Sequence, residues 1–283
     1  EAYASTDLMG FGTLTVGRQD LSFGSGALLS GNDWGMSRYT ENGVSLSANL
    51  GGFDVDLGSL AGVQYDASNY MNASGNFGGA DINILMMNNG EQKAHGYDLS
   101  YAMNNFTISA SMNSDYDGDE MTSYGLTYNV TDDLSASFGR TSYGDAITGV
   151  DENGLATTTT GFNMDNTAMG NDGLGAWTNG NIGYLGSNDE NTSMGVSYDL
   201  GDITLSYTMH TISNDNTDVD GNDLTADDRE ATSMSLSYQL NDNCSLSMSR
   251  FSDSSLEVAD DVLTPEDETD NGERTWLTIS IGL

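Results

Sequence analysis

The residues YGLTYNVTDDLSASFGR, 124–140, form two alternating runs around a short turn. Tyr124, Leu126, Tyr128 and Val130 share one face, while Gly125, Thr127 and Asn129 share the other. After Thr131, Asp132 and Asp133 the apolar face resumes at Leu134, Ala136 and Phe138. A period of two marks a strand with one apolar face, and a tight polar turn joins antiparallel neighbours. The same rhythm runs through Phe106 to Met112, Met194 to Leu200, Ile203 to Met209, Met234 to Leu240, Cys244 to Met248 and Leu277 to Leu283. The chain is therefore expected to be all-β and antiparallel.

The side chains opposite the apolar face indicate which solvent lies on each side. They are short and uncharged, mainly Ser, Thr, Gly and Asn, with almost no lysine. A soluble sandwich buries its apolar faces and carries long charged groups outside. Short polar groups suit the inside of a water-filled barrel whose apolar faces meet lipid, and only a closed sheet satisfies every backbone group in hydrocarbon.

Connection lengths alternate too. Residues 104–105, 131–133, 201–202 and 241–243 are tight turns, and long polar loops lie at 114–120, 142–191, 213–230 and 253–274. One rim should carry the turns and the other the loops, as in outer-membrane barrels. Gly pairs at 51–52 and 78–79 extend the pattern towards the start, and parity requires a strand over Ser68 to Ser74. Fifteen strands result if Tyr3 to Leu8 is one. Bacterial single-chain barrels carry an even number, so either one strand is misassigned or the chain begins inside the barrel; the expectation is a single transmembrane antiparallel β-barrel over residues 1–283, of about 16 strands (14–18).

Composition narrows the partners. Against 43 acidic residues stand seven basic ones, for a formal charge of -36, which repels nucleic acid and collects cations. Cys244 is the one cysteine, so neither an intrachain disulfide nor a cysteine zinc site is available. No GxSxG, HExxH, P-loop or dinucleotide fingerprint occurs, and His210 shares the Thr204, Ser206 and Thr208 face, which would line the lumen. The chain is read as a non-enzyme.

One stretch departs from the rhythm. Phe11 to Gln19, FGTLTVGRQ, is a strand, and about twenty irregular residues follow before Val44, Leu46, Ala48 and Leu50 alternate again. Irregular segments of that length inside a compact domain are usually functional. FGTLTVGRQD resembles the FGxxxxGRQ strand of the Gram-negative general porins, which precedes a long loop folded into the pore. RYTENGVSLSA resembles the segment where that family's wall resumes, and YGLTYNVTDDLSASFGR is a further porin-like patch. The family's terminal Phe is replaced by Leu283.

The resemblance implies that residues 20–42 narrow the pore, with Asp20, Asp33 and Glu41 as acids and Arg18 and Arg38 on a basic wall. Strict alternation instead puts Arg18 beside Leu14 and Val16, facing lipid, unless a bulge at Gly17 turns it inward. Arg140 and Arg250 have outward parity and either snorkel to lipid phosphates or pair with loop acids. Asn113, Asp115 and Asp117, and likewise Asn216, Asp218, Asp220 and Asp227, resemble half of a calcium loop; plain acidic turns are the alternative.

The expected function is passive diffusion of small hydrophilic solutes, preferring cations, by a homotrimer in contact with outer-membrane lipid and lipopolysaccharide. No cofactor is required beyond possible calcium in the acidic loops. The competing reading is a calcium-binding adhesion or structural barrel without an open channel.

Overall fold

The computed structural model describes residues 2–29, 40–61, 68–144, 148–150, 156–158, 162, 189–214, 229–241, 244–257 and 271–281. The first strands are β1 (Ala2–Asp7), β2 (Thr13–Gln19), β3 (Glu41–Leu50), β4 (Phe53–Ala61) and β5 (Ser68–Phe77). They continue as β6 (Ala80–Asn88), β7 (Lys93–Met103), β8 (Phe106–Ser114), β9 (Glu120–Asn129) and β10 (Leu134–Tyr143). After a separate small hairpin, β11 (Thr148–Val150) and β12 (Ala156–Thr158), come β13 (Asp189–Asp199), β14 (Ile203–Asn214), β15 (Arg229–Asn241), β16 (Cys244–Glu257) and β17 (Asn271–Ile281). All but β11 and β12 form one 15-stranded antiparallel sheet in chain order. The parity argument for a strand from Ser68 thus holds, as β5.

Turns and loops segregate to opposite rims as the sequence indicates. Gly51 and Gly52, with φ of 65° and 93°, and Gly78 and Gly79, at 62° and 90°, make two-residue turns that need positive φ at both positions. Their twist matches that of the strands they join, so the register carries on unbroken from β3 into β4 and from β5 into β6.

The apolar faces point outward. Val196, Leu205 and Ile279 are 51%, 40% and 62% exposed, while Ser45, Asn72, Ser111 and Thr141 on the opposite face are buried. That inversion of a soluble core places hydrocarbon around the sheet and polar groups within it. The segment after β2 crosses the interior: Phe23 packs on Tyr70 of β5 with ring centroids 5.3 Å apart, and the Ser111 hydroxyl of β8 lies 3.1 Å from that of Ser25. A loop leaving β2 can touch β5 and β8 only because the sheet curls round it. The fold is a transmembrane antiparallel β-barrel with a long loop folded into its lumen.

Two expectations about the wall are corrected. The inner face is not uncharged, because Asp56, Asp81 and Asp98 line the interior. Arg18 is not turned inward: the β1, β2 and β3 registers run without a shift past Gly17, so no bulge forms. Gly17 does adopt φ 132°, but a twist without an inserted residue preserves alternation. Arg18 therefore stays exposed on the Val16 face, donating from Nε to the Thr40 hydroxyl, while Gln19 is buried.

Candidate functional site

The inner wall changes character along its height. Near the long-loop rim the inward positions are Leu60, Tyr70, Leu85, Met87, Ala94 and Met121, all buried in one apolar cluster. Towards the short-turn rim the same strands present Asp56, Asn72, Ser74, Asp81, Asn83, Asp98 and Ser100. The upper zone is a seat for the loop. Ala27, Leu28 and Leu29 are buried in it, and Leu21 and Phe23 pack against it. Fully burying each leucine contributes about 1.5–3 kcal/mol.

The loop leaves β2 at Gln19, whose Oε1 accepts from Ser45 at 2.6 Å. Backbone bonds from Phe23 N to Leu29 O (3.2 Å) and from Gly26 N to Phe23 O (3.0 Å) fold it into a compact lobe. Gly24, at φ 58°, meets the wall so closely that a Cβ would collide with the Asp98 carboxylate and the Asn83 amide. A side chain at that point would push the lobe off the wall.

Below the lobe lies a cavity of about 720 Å³, bounded by Ser22 to Ser25 from the loop and by β4 to β9. Its carboxylates are held by donors on residues directly opposite in the neighbouring strand. Asp56 pairs with Ser47, and Asn76 Nδ2 donates to Asp81 at 2.9 Å. Asp98 accepts from Ser111 at 2.6 Å and from Asn83 at 3.3 Å. Cross-strand pairs of this kind fix where each charge sits. Among the described residues no lysine, arginine or histidine lines the cavity.

Of the expected constriction residues, Asp20 stands half-buried where the loop begins, and Glu41 is half-buried at the start of β3, paired with Gln19. Asp33 and Arg38 lie outside the described residues. Asp56, Asp81 and Asp98 were missed. The signal for them was an Asp on the polar side of an alternating strand, between Val55 and Leu57, Ala80 and Ile82, and Tyr97 and Leu99.

The expected calcium ligands of the first acidic loop each have partners within the protein. Asp115 is buried, and its Oδ1 accepts the backbone N–H groups of Asp117 at 3.0 Å and Asp119 at 2.9 Å. The Asn113 amide donates instead to Ser111, and Asp117 accepts from Gln92. Among the described residues no three His, Cys, Asp or Glu side chains gather as a metal site. Burial raises the Asp119 carboxyl above its usual range, and the Asp117 charge adds to the shift. Asn216, Asp218, Asp220 and Asp227 lie outside the described residues. On the outer face Arg140 forms an ion pair with Glu190.

A family model described as alginate export matches residues 1–170, more than half of the chain. The chain belongs to the alginate export family. This member is similar in structure to Pseudomonas aeruginosa OccK5 (OpdH), at 10% identity over 98% of this chain and 79% of that one, with a TM-score of 0.66. It is also similar to Pseudomonas aeruginosa OpdK, at 13% identity over 99% and 78% with a TM-score of 0.65, and to OprD of the same organism, at 9% over 95% and 74% with 0.62. No curated protein sequence matches it. The resemblance thus holds at the level of an outer-membrane β-barrel, whereas the family shown is alginate export rather than the general diffusion porins. This alginate export member is an outer-membrane β-barrel, and its likeness to these proteins is one of fold.

Proposed function

We propose that the barrel passes small hydrophilic solutes by passive diffusion and prefers cations. The observation that supports this most directly is the segregation of charge. Asp56, Asp81 and Asp98 face the interior, while Arg18, Lys93, Arg140 and Arg250, the basic residues with described side chains, are exposed and share the outward parity of their strands. One carboxylate at 4 Å attracts a monovalent cation by roughly 1 kcal/mol even at the dielectric of water, about fivefold in local occupancy, and repels an anion equally. Asp20 and Glu41 add to the same field where the loop begins and ends. Alginate is a polyanion, so the cargo in the family's description does not suit this interior.

A salt gradient across a planar bilayer containing the purified chain tests the proposal. The reversal potential should report potassium over chloride, with the preference reduced in Asp56→Asn and Asp98→Asn. Anion preference in the unsubstituted protein would refute it.

Three finer expectations belong with this reading. A homotrimer would show by light scattering of detergent-solubilised protein. Lipopolysaccharide contact would use the outward cations, among which Arg18 and Lys93 stand at the long-loop ends of β2 and β7. Calcium held by Asn216, Asp218, Asp220 and Asp227 would protect the 213–230 loop from protease. If that protection came without any conductance, the adhesion reading would replace the channel.

A further inference from the structure

Asn72 stands on the inner face of β5, 2% exposed, and lines the cavity beneath the loop. Its side-chain Oδ1 has no hydrogen-bond partner among the described residues. Buried polar atoms are almost always paired, so an acceptor left open beside a cavity points to a donor arriving from outside the chain. The neighbouring groups ask for the same thing. Asp56, Asp81 and Asp98 are acceptors only, and each carboxylate has about four lone-pair sites, more than its cross-strand donors fill. Phe23 adds an aromatic surface, braced by Tyr70, of the kind that attracts a cation over its ring. A volume of about 720 Å³ suits a small organic molecule.

We infer that this cavity is a binding subsite for small organic cations rich in N–H donors, namely guanidinium and primary ammonium compounds, which makes conduction of such solutes saturable. The inference rests on the channel reading and narrows it from ion preference to solute recognition. Asp98 supplies the central charge, Asn72 an additional neutral acceptor, and Phe23 the face on which the cation rests. A quaternary ammonium of equal charge has no N–H to offer, so it satisfies the field but not the acceptors.

The test is block of potassium chloride current through the full chain in a planar bilayer by two dications. Agmatine carries guanidinium and ammonium groups, and hexamethonium carries two quaternary ammoniums. Agmatine should block with a saturating dependence on concentration, and hexamethonium at least about tenfold more weakly. Asp98→Asn and the near-isosteric Asn72→Leu should each raise the half-blocking concentration of agmatine about tenfold, the scale of one lost hydrogen bond to a charged group. Asp132→Asn, in the exposed turn before β10, makes the same charge change away from the cavity and should leave it within about twofold. Equal block by the two dications, wild-type block in Asn72→Leu, or an equal shift in Asp132→Asn would overturn the subsite. Absence of saturable block alongside potassium preference overturns it and leaves the channel reading standing, whereas anion preference removes both.

Discussion

Replacing Leu28 by Ala separates the loop's seat from the wall that carries it. Leu28 is 2% exposed, and its Cδ1 lies 3.1 Å from where a Cβ on Gly96 of β7 would be. Truncating a buried leucine costs about 2–5 kcal/mol, because the removed methyls lose their apolar surroundings and leave a cavity. In a soluble protein that loss would fall on global stability. Here the strands are held by their own backbone ladder, and the described part of the loop seats on them through the lobe around Leu28. The cost should therefore fall on docking of the lobe, raising the undocked population roughly 30-fold to several-thousand-fold. Single-channel recordings should show brief, larger-conductance openings absent from the unsubstituted protein, and limited proteolysis should cut within residues 20–29 faster. Leu205→Ala is the counterpart on the outer face, where Leu205 is 40% exposed and meets lipid or detergent rather than packed neighbours. It should leave both readouts nearly unchanged. Quiet openings and unchanged proteolysis in Leu28→Ala, or a larger effect from Leu205→Ala, would refute the assignment of inside and outside on which the barrel reading depends.

Gly24→Ala combines a positive φ, which costs a non-glycine residue roughly 1–2 kcal/mol, with a collision against Asp98 and Asn83, so noisier openings and a smaller potassium preference should appear together in the bilayer. Because the Asp119 carboxyl is raised, its protonated form favours the folded turn: that contribution is complete below the ordinary carboxylate range and is lost as pH rises through the raised value. Protease resistance of the 115–119 turn should accordingly fall as pH rises above the ordinary carboxylate range in the unsubstituted protein and change less in Asp119→Asn. Arg140→Gln breaks an exposed ion pair and should alter thermal stability in detergent by no more than about 1 kcal/mol.

Alternation made the fold legible because lipid and water impose opposite demands on the two faces of every strand, and no packing between layers blurs the period. Leu205 and Val196 could be assigned outward from sequence alone for that reason. The wall chemistry was less legible. Asp56, Asp81 and Asp98 each occupy an ordinary polar-face position, and what makes them a site is the curl of the sheet, which brings β4, β6 and β7 round one cavity. The resemblance at FGTLTVGRQD located the inserted loop but misled on Arg18, since a motif transfers a position in the chain while alternation determines the side on which it emerges. The same contrast explains why the apolar lobe was not foreseen. Ala27, Leu28 and Leu29 follow no period, and only the greasy upper band of the inner wall, built from Leu60, Leu85, Met87 and Met121 on three separate strands, gives them somewhere to rest. Periodicity reports on the solvent of each face, whereas a site inside a barrel depends on which strands share a height. That second relation is set by register and curvature together, so it becomes readable only once the sheet has curled round the loop.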